Sequence, residues 1–404
     1  MTKEFWSGRR VFISGQTGFK GAWLAFWLAE LGAEVFGLAL PPNTTPNLHD
    51  LVDLSARGRF IHADIKDRPA LHSLMREARP EIVIHMAAQA LVRRSYITPV
   101  ETFATNVGGI ATLLDVVRHC PETRAVVIVT SDKVYDNLNW PWGYRETDML
   151  GGHDPYSASK ACCEIVATSM RQSFFHAEGH PARIATARAG NVVGGGDWNE
   201  YRQVPDIVRG CLGNSSTVRL RHPDAVRPWQ HVLEPLGAYL LLAERLCMAP
   251  DGIDEAWNIG PDAAENRPVR MVAEALVAAL GRGRIEIRPE VNAPREDQLL
   301  TLDNSKARMR LGWRPRLDFA ATIALTAARR LRGQALRMTH HAKTSHIGLA
   351  SRWRIYLRCS TAPCCRSICR DRTGLARDRL VVSKGHAPAT VYAARHWSRT
   401  HPAP

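Results

Sequence analysis

A glycine-rich loop near the amino terminus is the feature that most constrains how this chain folds. The apolar stretch 10–14 predicts a buried strand, the loop follows at 15–21 (GQTGFKG), and the apolar stretch 22–31 predicts a helix. Glycines let the backbone approach a pyrophosphate, whose charge the amino terminus of the helix stabilises. The predicted dinucleotide-binding residues here are Gly15, Thr17, Gly18, Phe19 and Gly21. A tight strand-to-helix turn without a ligand is the alternative.

Strands and helices alternate through the first 190 residues, with further strands predicted at 34–40, 82–86 and 125–129. This alternation predicts a Rossmann-type, doubly wound parallel α/β sheet. The pattern loosens afterwards. We therefore expect a dinucleotide-binding domain at 1–190, a smaller α/β substrate lobe interleaved with it at 191–330, and a disordered tail at 331–404.

The ends of the predicted strands offer further ligand contacts. Strand 34–40 is followed by neither an acid for an adenosine ribose nor an arginine for a 2′-phosphate, so the choice between NAD and NADP stays open. Asp64 and Ile65 end the third strand, where an acid can bind an adenine amino group or cap a helix. The fourth strand leads into small residues that let a flat ring lie close, and a buried asparagine follows in the next helix. These further candidates are Ala87, Ala88, Gln89 and Asn106.

Two short motifs carry the candidate chemistry. Tyr156 and Lys160 are four residues apart, so a helix places them on one face, where an ammonium would favour the phenolate. Residues 130–133 (TSDK) follow the apolar strand 125–129, and the carboxyl ends of parallel strands are where open α/β sheets place their chemistry. A tyrosine-lysine pair that faces Ser131, Asp132 and Lys133 predicts several proton transfers around one substrate. For Tyr156 and Lys160 the structural alternative is a pair of surface residues on a helix. For Ser131, Asp132 and Lys133 it is a helix-capping turn with an exposed lysine.

The charge of this chain is concentrated in its tail. Residues 334–404 hold 13 basic and two acidic residues, which is +11 of the net +14, so the body is electrically ordinary and no specific nucleic-acid site is expected. The five body cysteines show no disulfide framework, and neither a signal peptide nor a bilayer-length apolar run is evident. We therefore expect a soluble cytoplasmic protein without a membrane partner.

Taken together, these motifs resemble the CDP-glucose 4,6-dehydratases of the extended short-chain dehydrogenase/reductase family. The resemblance covers residues 5–327 and includes the GxxGxxG loop, 85–89 (HMAAQ), 188–192 (RAGNV) and 226–236 (VRPWQHVLEPL). The most specific element is 131–133 (SDK), since dTDP-glucose and GDP-mannose dehydratases carry glutamate in place of Lys133. The resemblance implies dehydration of CDP-glucose to CDP-4-keto-6-deoxyglucose, in which NAD is reduced and reoxidised within one turnover. It also implies a lyase that makes deoxysugar precursors for surface polysaccharide such as O-antigen.

The same resemblance implies a role for each candidate. Tyr156 would take the proton of the C4 hydroxyl, with Lys160 lowering its pKa and holding the nicotinamide ribose. Protonated Asp132 would donate to the leaving C6 hydroxyl. Lys133 would remove the C5 proton if burial and nearby cations keep it neutral. The implied substrate contacts are Gln89, Ser131, Asn191, Arg202 and Arg227.

Two further expectations follow from these motifs. Arg227 offers its guanidinium to a diphosphate; a surface arginine stacked on Trp229 is the alternative. The resemblance also implies a homodimer or higher homo-oligomer, in which the helices near 100–119 and 157–175 pair across the interface.

The tail resembles a different protein. Residues 339–348 and 378–387 resemble the amino-terminal region of transketolases, and the segment between them is rich in arginine and cysteine. About 70 residues cannot build a thiamine-enzyme domain, so we expect a disrupted remnant without that activity. Zinc binding by Cys359, Cys364, Cys365 and Cys369 is disfavoured, because their spacing matches no usual ligand set. We expect no metal in the body either.

Two alternatives to this enzyme remain open on the sequence. One is another nucleotide-sugar dehydratase or epimerase, against which Lys133 argues. The other is an inactive fusion product that only binds NAD, against which the intact catalytic motifs argue.

Overall fold

The computed structural model describes residues 3–248, 252–289 and 297–327 of the 404 residues. The contacts gather residues 1–323 into one compact unit and assign 324–404 to a second, of which only the end of one helix is described. The tail that resembles a transketolase lies outside the described residues, so its predictions stay predictions.

Seven parallel strands form the central sheet, in the order β11-β6-β5-β4-β1-β2-β3. These strands are β1 (Arg10–Ser14), β2 (Glu34–Ala39), β3 (Arg59–His62), β4 (Ile82–His85), β5 (Ala125–Val129), β6 (Arg183–Ala189) and β11 (Ala256–Ile259). The strand order reverses between β1 and β4, which is where ligands bind in sheets of this kind. The predicted doubly wound parallel sheet is confirmed.

Three short two-stranded pairs lie outside the central sheet: β7 with β10, β9 with β12, and β8 with β13. Their bounds are β7 (Val192–Val193), β8 (Thr217–Leu220), β9 (Val226–Arg227), β10 (Gln230–His231), β12 (Arg267–Pro268) and β13 (Arg284–Ile287). The residues predicted for the substrate lobe thus contribute these pairs and also strand β11 of the central sheet. The division into domains at residue 190 stays a prediction. Because β11 comes from the second predicted domain and pairs within the sheet of the first, it agrees with the expectation that the two are interleaved.

Helices cover both faces of the sheet. They are α1 (Lys3–Trp6), α2 (Phe19–Glu30), α3 (Leu48–Leu51), α4 (Arg68–Ala78), α5 (Val92–Ile97), α6 (Pro99–Phe103), α7 (Gly109–Val117), α8 (Pro155–Met170), α9 (Gln203–Leu212), α10 (Leu233–Met248), α11 (Val269–Leu280) and α12 (Phe319–Ala327). Short 3₁₀ turns occur at Leu54–Arg57, Asp132–Val134 and Ala263–Glu265, and π-helical turns at Ala104–Gly108, Arg171–His176 and Ala307–Leu311.

The helices α4, α7 and α8 bury their apolar faces against the sheet. Leu71, Leu113, Val126 and Ile184 belong to one fully buried cluster between these layers. By length and composition the continuous helical stretch Pro99–Val117 could cross a membrane, but a core helix of a soluble protein passes the same test. The apolar residues of α7 are core residues here.

Two element boundaries differ from the predictions, whereas Asn106 lies in a helical stretch, Pro99–Val117, as predicted. Helix α2 begins at Phe19 and not at Ala22, because the chain turns helical directly after the extended Gly18. Strand β3 ends at His62, two residues before Asp64. Asn106 lies in a π-helical turn between α6 and α7.

Candidate active site

The glycine loop between β1 and α2 is closely packed against two other backbone segments. A Cβ at Gly15 would lie 2.7 Å from the amide nitrogen of Ala87, and Gly15 has a φ of +81°. A Cβ at Gly21 would overlap the carbonyl oxygen of Gly15. Only glycine fits at positions 15 and 21. The loop can therefore pack tightly and leave the amino terminus of α2 accessible to an anion.

The predicted cofactor residues on the loop and after strand β3 have clear partners within the protein. The Thr17 hydroxyl donates to the carbonyl of Leu40 at 2.8 Å, and Phe19 is buried beneath the loop. Asp64 accepts from the backbone N–H of Lys66 at 2.9 Å and pairs with the ammonium of the same lysine at 3.5 Å. Asp64 therefore stabilises its own turn, but it does not cap the following helix α4, whose N-cap is Asp67. Ile65 is a buried member of the core cluster beneath it.

Asn106 connects the loop after β4 to helix α8. Its side chain accepts from the N–H of Gln89 at 2.8 Å and donates to the Gln89 carbonyl at 3.1 Å and to Ser159 Oγ at 2.8 Å. The Gln89 amide folds back to donate to Leu91 O and Thr102 Oγ1, at 3.1 and 3.0 Å. The predicted partners of the buried asparagine are therefore present, and the pair fixes the loop that carries Ala87 and Ala88.

Helix α8 carries the tyrosine-lysine pair on its first two turns. Asp154 caps the helix by accepting from the N–H of Ser157 at 2.9 Å. Burial raises the pKa of Tyr156 to about 12, while a hydrogen bond with Ser131 and the charge of Arg202 act to lower it. Lys160 is buried and donates to the carbonyl of Val129 at 3.2 Å. The structure thus adds Ser131 and Arg202 to the groups that favour the phenolate, and the role of Lys160 in lowering this pKa stays a prediction.

The turn that follows β5 holds Ser131 and Asp132 together. The Ser131 hydroxyl accepts from the N–H of Lys133 at 3.2 Å and donates to Asp132 Oδ1 at 3.0 Å. Asp132 is buried, and its Oδ2 has no hydrogen-bond partner within the described residues. Burial raises the pKa of Asp132, although Lys133, Ser131 and Arg227 oppose that shift. A carboxyl group whose pKa is raised by burial beside an open cleft is suited to act as a general acid.

Lys133 points to a carboxylate that lies 164 residues further along the chain. Its ammonium donates to Asp297 Oδ2 at 2.7 Å. Although burial opposes it, the charges of Lys133 and Arg227 hold the pKa of Asp297 below its usual range. The sequence-based expectation considered only burial and nearby cations around Lys133, whereas the structure pairs this lysine with a carboxylate.

Arg227 is buried and is not the surface arginine of the alternative. Its guanidinium donates to the carbonyl oxygens of Val226, Asp297 and Gln298. These bonds fix the segment that carries Asp297 against strand β9.

One cleft of about 260 Å³ brings most of the predicted catalytic and substrate residues together. The predicted residues in its lining are Ala88, Ser131, Asp132, Lys133, Tyr156, Lys160, Asn191, Arg202 and Arg227. Six lining side chains are basic (Lys20, Arg93, Lys133, Lys160, Arg202 and Arg227), and two, Asp132 and Asp197, are acidic. Such an excess of positive charge favours an anionic ligand.

Comparison with known proteins places this site in a family. The family model described as GDP-mannose 4,6-dehydratase matches residues 12–326. The chain belongs to that family.

Relatives within the GDP-mannose 4,6-dehydratase family extend the likeness along nearly the whole body. A CDP-glucose 4,6-dehydratase from Salmonella typhimurium is 46% identical over 324 residues, which is 80% of this chain and 90% of the relative. The predicted resemblance to that group is thereby confirmed. A dTDP-glucose 4,6-dehydratase from Streptomyces antibioticus is 32% identical over 66% of this chain and 74% of its own length.

Solved structures agree with the fold of this family. A dTDP-glucose 4,6-dehydratase from Streptomyces venezuelae, solved with NAD, superposes with a TM-score of 0.68 at 26% identity and covers 80% of this chain and 98% of that one. A UDP-glucose 4-epimerase from Thermus thermophilus, also solved with NAD, gives a TM-score of 0.68 at 26% identity over 79% and 98% of the two chains.

Two residues of the site escaped the sequence reasoning. Lys20 stands inside the glycine loop itself, so its position was a usable signal, yet only the glycines and their neighbours were assigned to the ligand. Asp297 had no local signal, because its relation to Lys133 arises only when the distant segment folds over the cleft.

Proposed function

We propose that this member of the GDP-mannose 4,6-dehydratase family is an NAD-dependent CDP-glucose 4,6-dehydratase, a lyase. It would convert CDP-glucose to CDP-4-keto-6-deoxyglucose by transient oxidation at C4, elimination of water across C5–C6 and reduction at C6. The observation that carries the proposal is the convergence of Tyr156, Asp132 and Lys133 on one cationic cleft. The 46% identity to a CDP-glucose 4,6-dehydratase supports the choice of nucleotide.

The residues around the glycine loop fit NAD. Gly15 and Gly21 leave no room for a Cβ, and the small Ala88 lines the cleft beside the loop. The loop and the start of α2 would bind the diphosphate, and Lys160 the nicotinamide ribose. NAD, when bound, supplies the reversible hydride acceptor that allows oxidation at C4 and reduction at C6 in one turnover.

Tyr156 and Ser131 would handle the C4 hydroxyl. Both side chains line the cleft and Ser131 lies near enough to the Tyr156 phenol to lower its pKa, so an oxygen at C4 could contact both. Tyr156 must be a phenolate to take the proton, and its burial opposes that form. Arg202 stabilises the phenolate across the cleft, and this assigns Arg202 a catalytic contribution beside substrate binding.

Asp132 would protonate the C6 hydroxyl as it leaves. Its Oδ2 has no partner among the described residues, and burial favours the protonated form, so the proton is available to the substrate. Ser131 Oγ, which contacts Oδ1, orients the carboxyl group.

Lys133 would remove the C5 proton, which the 4-keto group makes acidic. An ammonium cannot accept a proton, so Lys133 must first lose its own, and the ion pair with Asp297 opposes this. We infer that entry of the hexose separates the pair, that the ammonium of Lys133 then gives its proton to solvent, and that the resulting amine takes the C5 proton.

Arg227, Asn191 and Gln89 would complete the substrate contacts. Asn191 and Arg227 lie in the cleft lining. Arg227 already donates to three carbonyl oxygens, so it would offer a diphosphate its remaining N–H groups. Gln89 is engaged with Leu91 and Thr102 and would have to turn to reach a sugar.

The assay is direct. The purified chain is incubated with CDP-, dTDP-, GDP- or UDP-glucose or with GDP-mannose, and the base-induced absorbance of a 4-ketose is followed. We expect the signal with CDP-glucose. A 4-ketose from another nucleotide sugar alone would select the rival dehydratase. An epimerase releases no 4-ketose and would be detected by chromatography as interconversion of the hexose. Cofactor binding without either product would select the inactive fusion product.

A matched variant tests the assignment of Lys133. Lys133→Ala should keep its bound NAD, measured by absorbance after denaturation, and lose about two or more orders of magnitude in product formation. Full activity in this variant would exclude the proposed role.

We also propose a cytoplasmic homodimer whose product feeds surface polysaccharides such as O-antigen. Ile97, Val100 and Ile165 are 76%, 82% and 58% exposed on α5, α6 and α8, where the paired helices are expected. Apolar side chains of this size are buried in dimer interfaces. Sedimentation of the wild type against Val100→Glu should show a dimer that dissociates, whereas a wild-type monomer would contradict the assembly.

A further inference from the structure

Lys20 is a basic residue of the cleft that the mechanism above does not use. It is the second residue of α2, inside the glycine loop, and it lines the same cleft as Tyr156 and Lys160. Its amine lies 5.8 Å from the centroid of the Tyr239 ring. Within the part of the chain that the structure describes, this amine has no hydrogen bond and no ion pair.

The surroundings of Lys20 supply positive charge. Lys160 on α8 and Arg202 at the start of α9 are its closest basic neighbours, and Asp132 is the acid that faces it. The phenol of Tyr239 on α10 is buried without a partner among the described residues. Burial and the two cations lower the pKa of Lys20 to about 7, while Asp132 acts to raise it. An amine held among cations at a diphosphate loop needs an external anion to become a stable ammonium.

We propose that Lys20 binds the diphosphate of a dinucleotide at the glycine loop and takes up a proton as that anion binds. This inference deepens the proposed function, since it rests on a dinucleotide occupying this loop. NAD and a nucleotide sugar both contain a diphosphate. The position of Lys20 inside the glycine loop favours the diphosphate of NAD.

The direction of the pH dependence follows from the charge states. Below pH 6 Lys20 is already an ammonium before the ligand arrives, so the binding of NAD takes up almost no protons. At pH 8 the free amine is mostly neutral, because its pKa is about 7, and binding takes up about one proton. Affinity for NAD therefore falls as the pH rises, approaching tenfold for each unit above the free pKa.

Calorimetry of the full chain, freed of bound nucleotide, measures this uptake. NAD is titrated at pH 6 and pH 8 in buffers of different ionisation enthalpy, and the slope of apparent enthalpy against buffer enthalpy counts the protons. The wild type should take up about one proton at pH 8 and close to none at pH 6. Binding of NAD at pH 8 without proton uptake would overturn the inference.

Three variants separate the charge of Lys20 from its bulk. Lys20→Arg keeps a permanent cation and should bind NAD with nearly wild-type affinity but without proton uptake. Lys20→Met should bind about ten- to a hundredfold more weakly near pH 7, with little pH dependence. Lys3→Met, on the exposed α1, is the control and should match the wild type. Wild-type affinity and proton uptake in Lys20→Met would contradict the assignment.

A parallel titration with CDP distinguishes the two sources of a diphosphate. Uptake with NAD and not with CDP supports the assignment, and uptake with CDP alone overturns it. These measurements need no sugar turnover, so they can fail while the dehydratase assay succeeds, or succeed while it fails.

Discussion

The two walls of the cleft are built in different ways. The cofactor wall consists of Tyr156, Lys160 and the loop 15–21, of which Lys20 lines the cleft. The substrate wall consists of Lys133 and Arg227, together with Asp297, which bonds to both and is not itself a lining residue. Tight backbone contacts hold the loop of the first wall, and an aspartate cap and a backbone carbonyl hold its helix. The second wall depends on an ion pair between residues 164 positions apart and on an arginine that donates to backbone carbonyls.

This difference predicts different responses to substitution and pH. A wall held by backbone packing keeps its shape when one side chain changes, so its variants report chemistry. A wall held by an ion pair changes when either charge changes, so its variants report position and protonation together. Each experiment below perturbs one wall and asks whether the other is affected.

The largest effect should come from the cofactor wall. Tyr156→Phe removes the only proposed acceptor of the C4 proton, so the rate of 4-ketose formation should fall by about 10³-fold, or about 4 kcal/mol. Bound NAD should remain, because the loop and Lys160 are unchanged. Single-turnover assays on CDP-glucose with quantified NAD measure both.

The matching control is Tyr201→Phe, which removes a half-exposed phenol at the edge of the same cleft. Its activity should stay within about threefold of the wild type. Equal losses in the two variants would mean that Tyr156 acts through packing and not as a base.

The next largest effect concerns the support beneath the cofactor wall. Glu164 on α8 accepts from Thr130 Oγ1 at 2.5 Å and from Thr186 Oγ1 at 2.6 Å, and it pairs with Arg188 at 2.9 Å, all buried. Glu164→Gln leaves the Arg188 charge uncompensated, which should cost about 3 kcal/mol in unfolding free energy. Urea denaturation measures the loss.

Glu178→Gln is the surface comparison, because Glu178 pairs with Arg118 at 3.2 Å while 52% exposed. Its loss should stay below about 0.5 kcal/mol. If Glu164→Gln lost no more than this control, the rigidity assigned to the cofactor wall would need another source.

The sequence anticipated the two walls unequally, and for a physical reason. The GQTGFKG loop and the pair Tyr156 and Lys160 are contiguous or one helical turn apart, so local geometry already places them. The seven-stranded parallel sheet followed from the alternation of apolar strands with helices. In the same way, the TSDK turn was placed correctly at the end of β5.

The remaining features depended on long-range contacts that no spacing encodes. Asp297 meets Lys133 only after the chain returns to the cleft, so no local spacing could predict the contact between them. Arg202 likewise reaches Tyr156 across the cleft and adds a cation that lowers the pKa of the phenol. Gln89 and Asn106 were assigned to the cofactor, but their hydrogen bonds to each other became visible only in the structure.

The third prediction concerns Glu234, a buried titratable residue, and the dependence of the free energy of unfolding on pH. Glu234, at the start of α10, accepts from the backbone N–H groups of Arg316 and Leu317 at 3.0 and 2.8 Å. Burial raises the pKa of Glu234 from 4.5 to about 7, so the folded state holds a proton that the unfolded state has lost. Its stabilising contribution is complete below pH 4.5 and is lost as the pH rises through 7.

Glu234→Gln keeps the accepting oxygen and cannot ionise. It should match the wild type at pH 5 and be more stable by about 2 kcal/mol at pH 8, as measured by urea denaturation at both values. A constant difference at the two pH values would show that the pKa of Glu234 is the same in the folded and unfolded states.

The smallest effect bears most directly on the substrate wall, because it separates two roles of one ion pair. Asp297→Asn keeps an oxygen that can accept from Lys133 but removes the negative charge that favours the ammonium. If Lys133 must be neutral to take the C5 proton, the neutral amine becomes available at lower pH. Turnover of CDP-glucose at pH 6 relative to pH 8.5 should therefore rise about three- to tenfold over the wild-type ratio, or about 1 kcal/mol.

Asp224→Asn is the control for charge alone, because Asp224 is 84% exposed and pairs with Arg270 away from the cleft lining. Its ratio of rates should equal that of the wild type. A uniform loss at both pH values in Asp297→Asn would instead mean that Lys133 works as a fixed ammonium that stabilises charge on the sugar. The C5 proton would then need another acceptor, and the substrate wall would be as rigid in function as the cofactor wall.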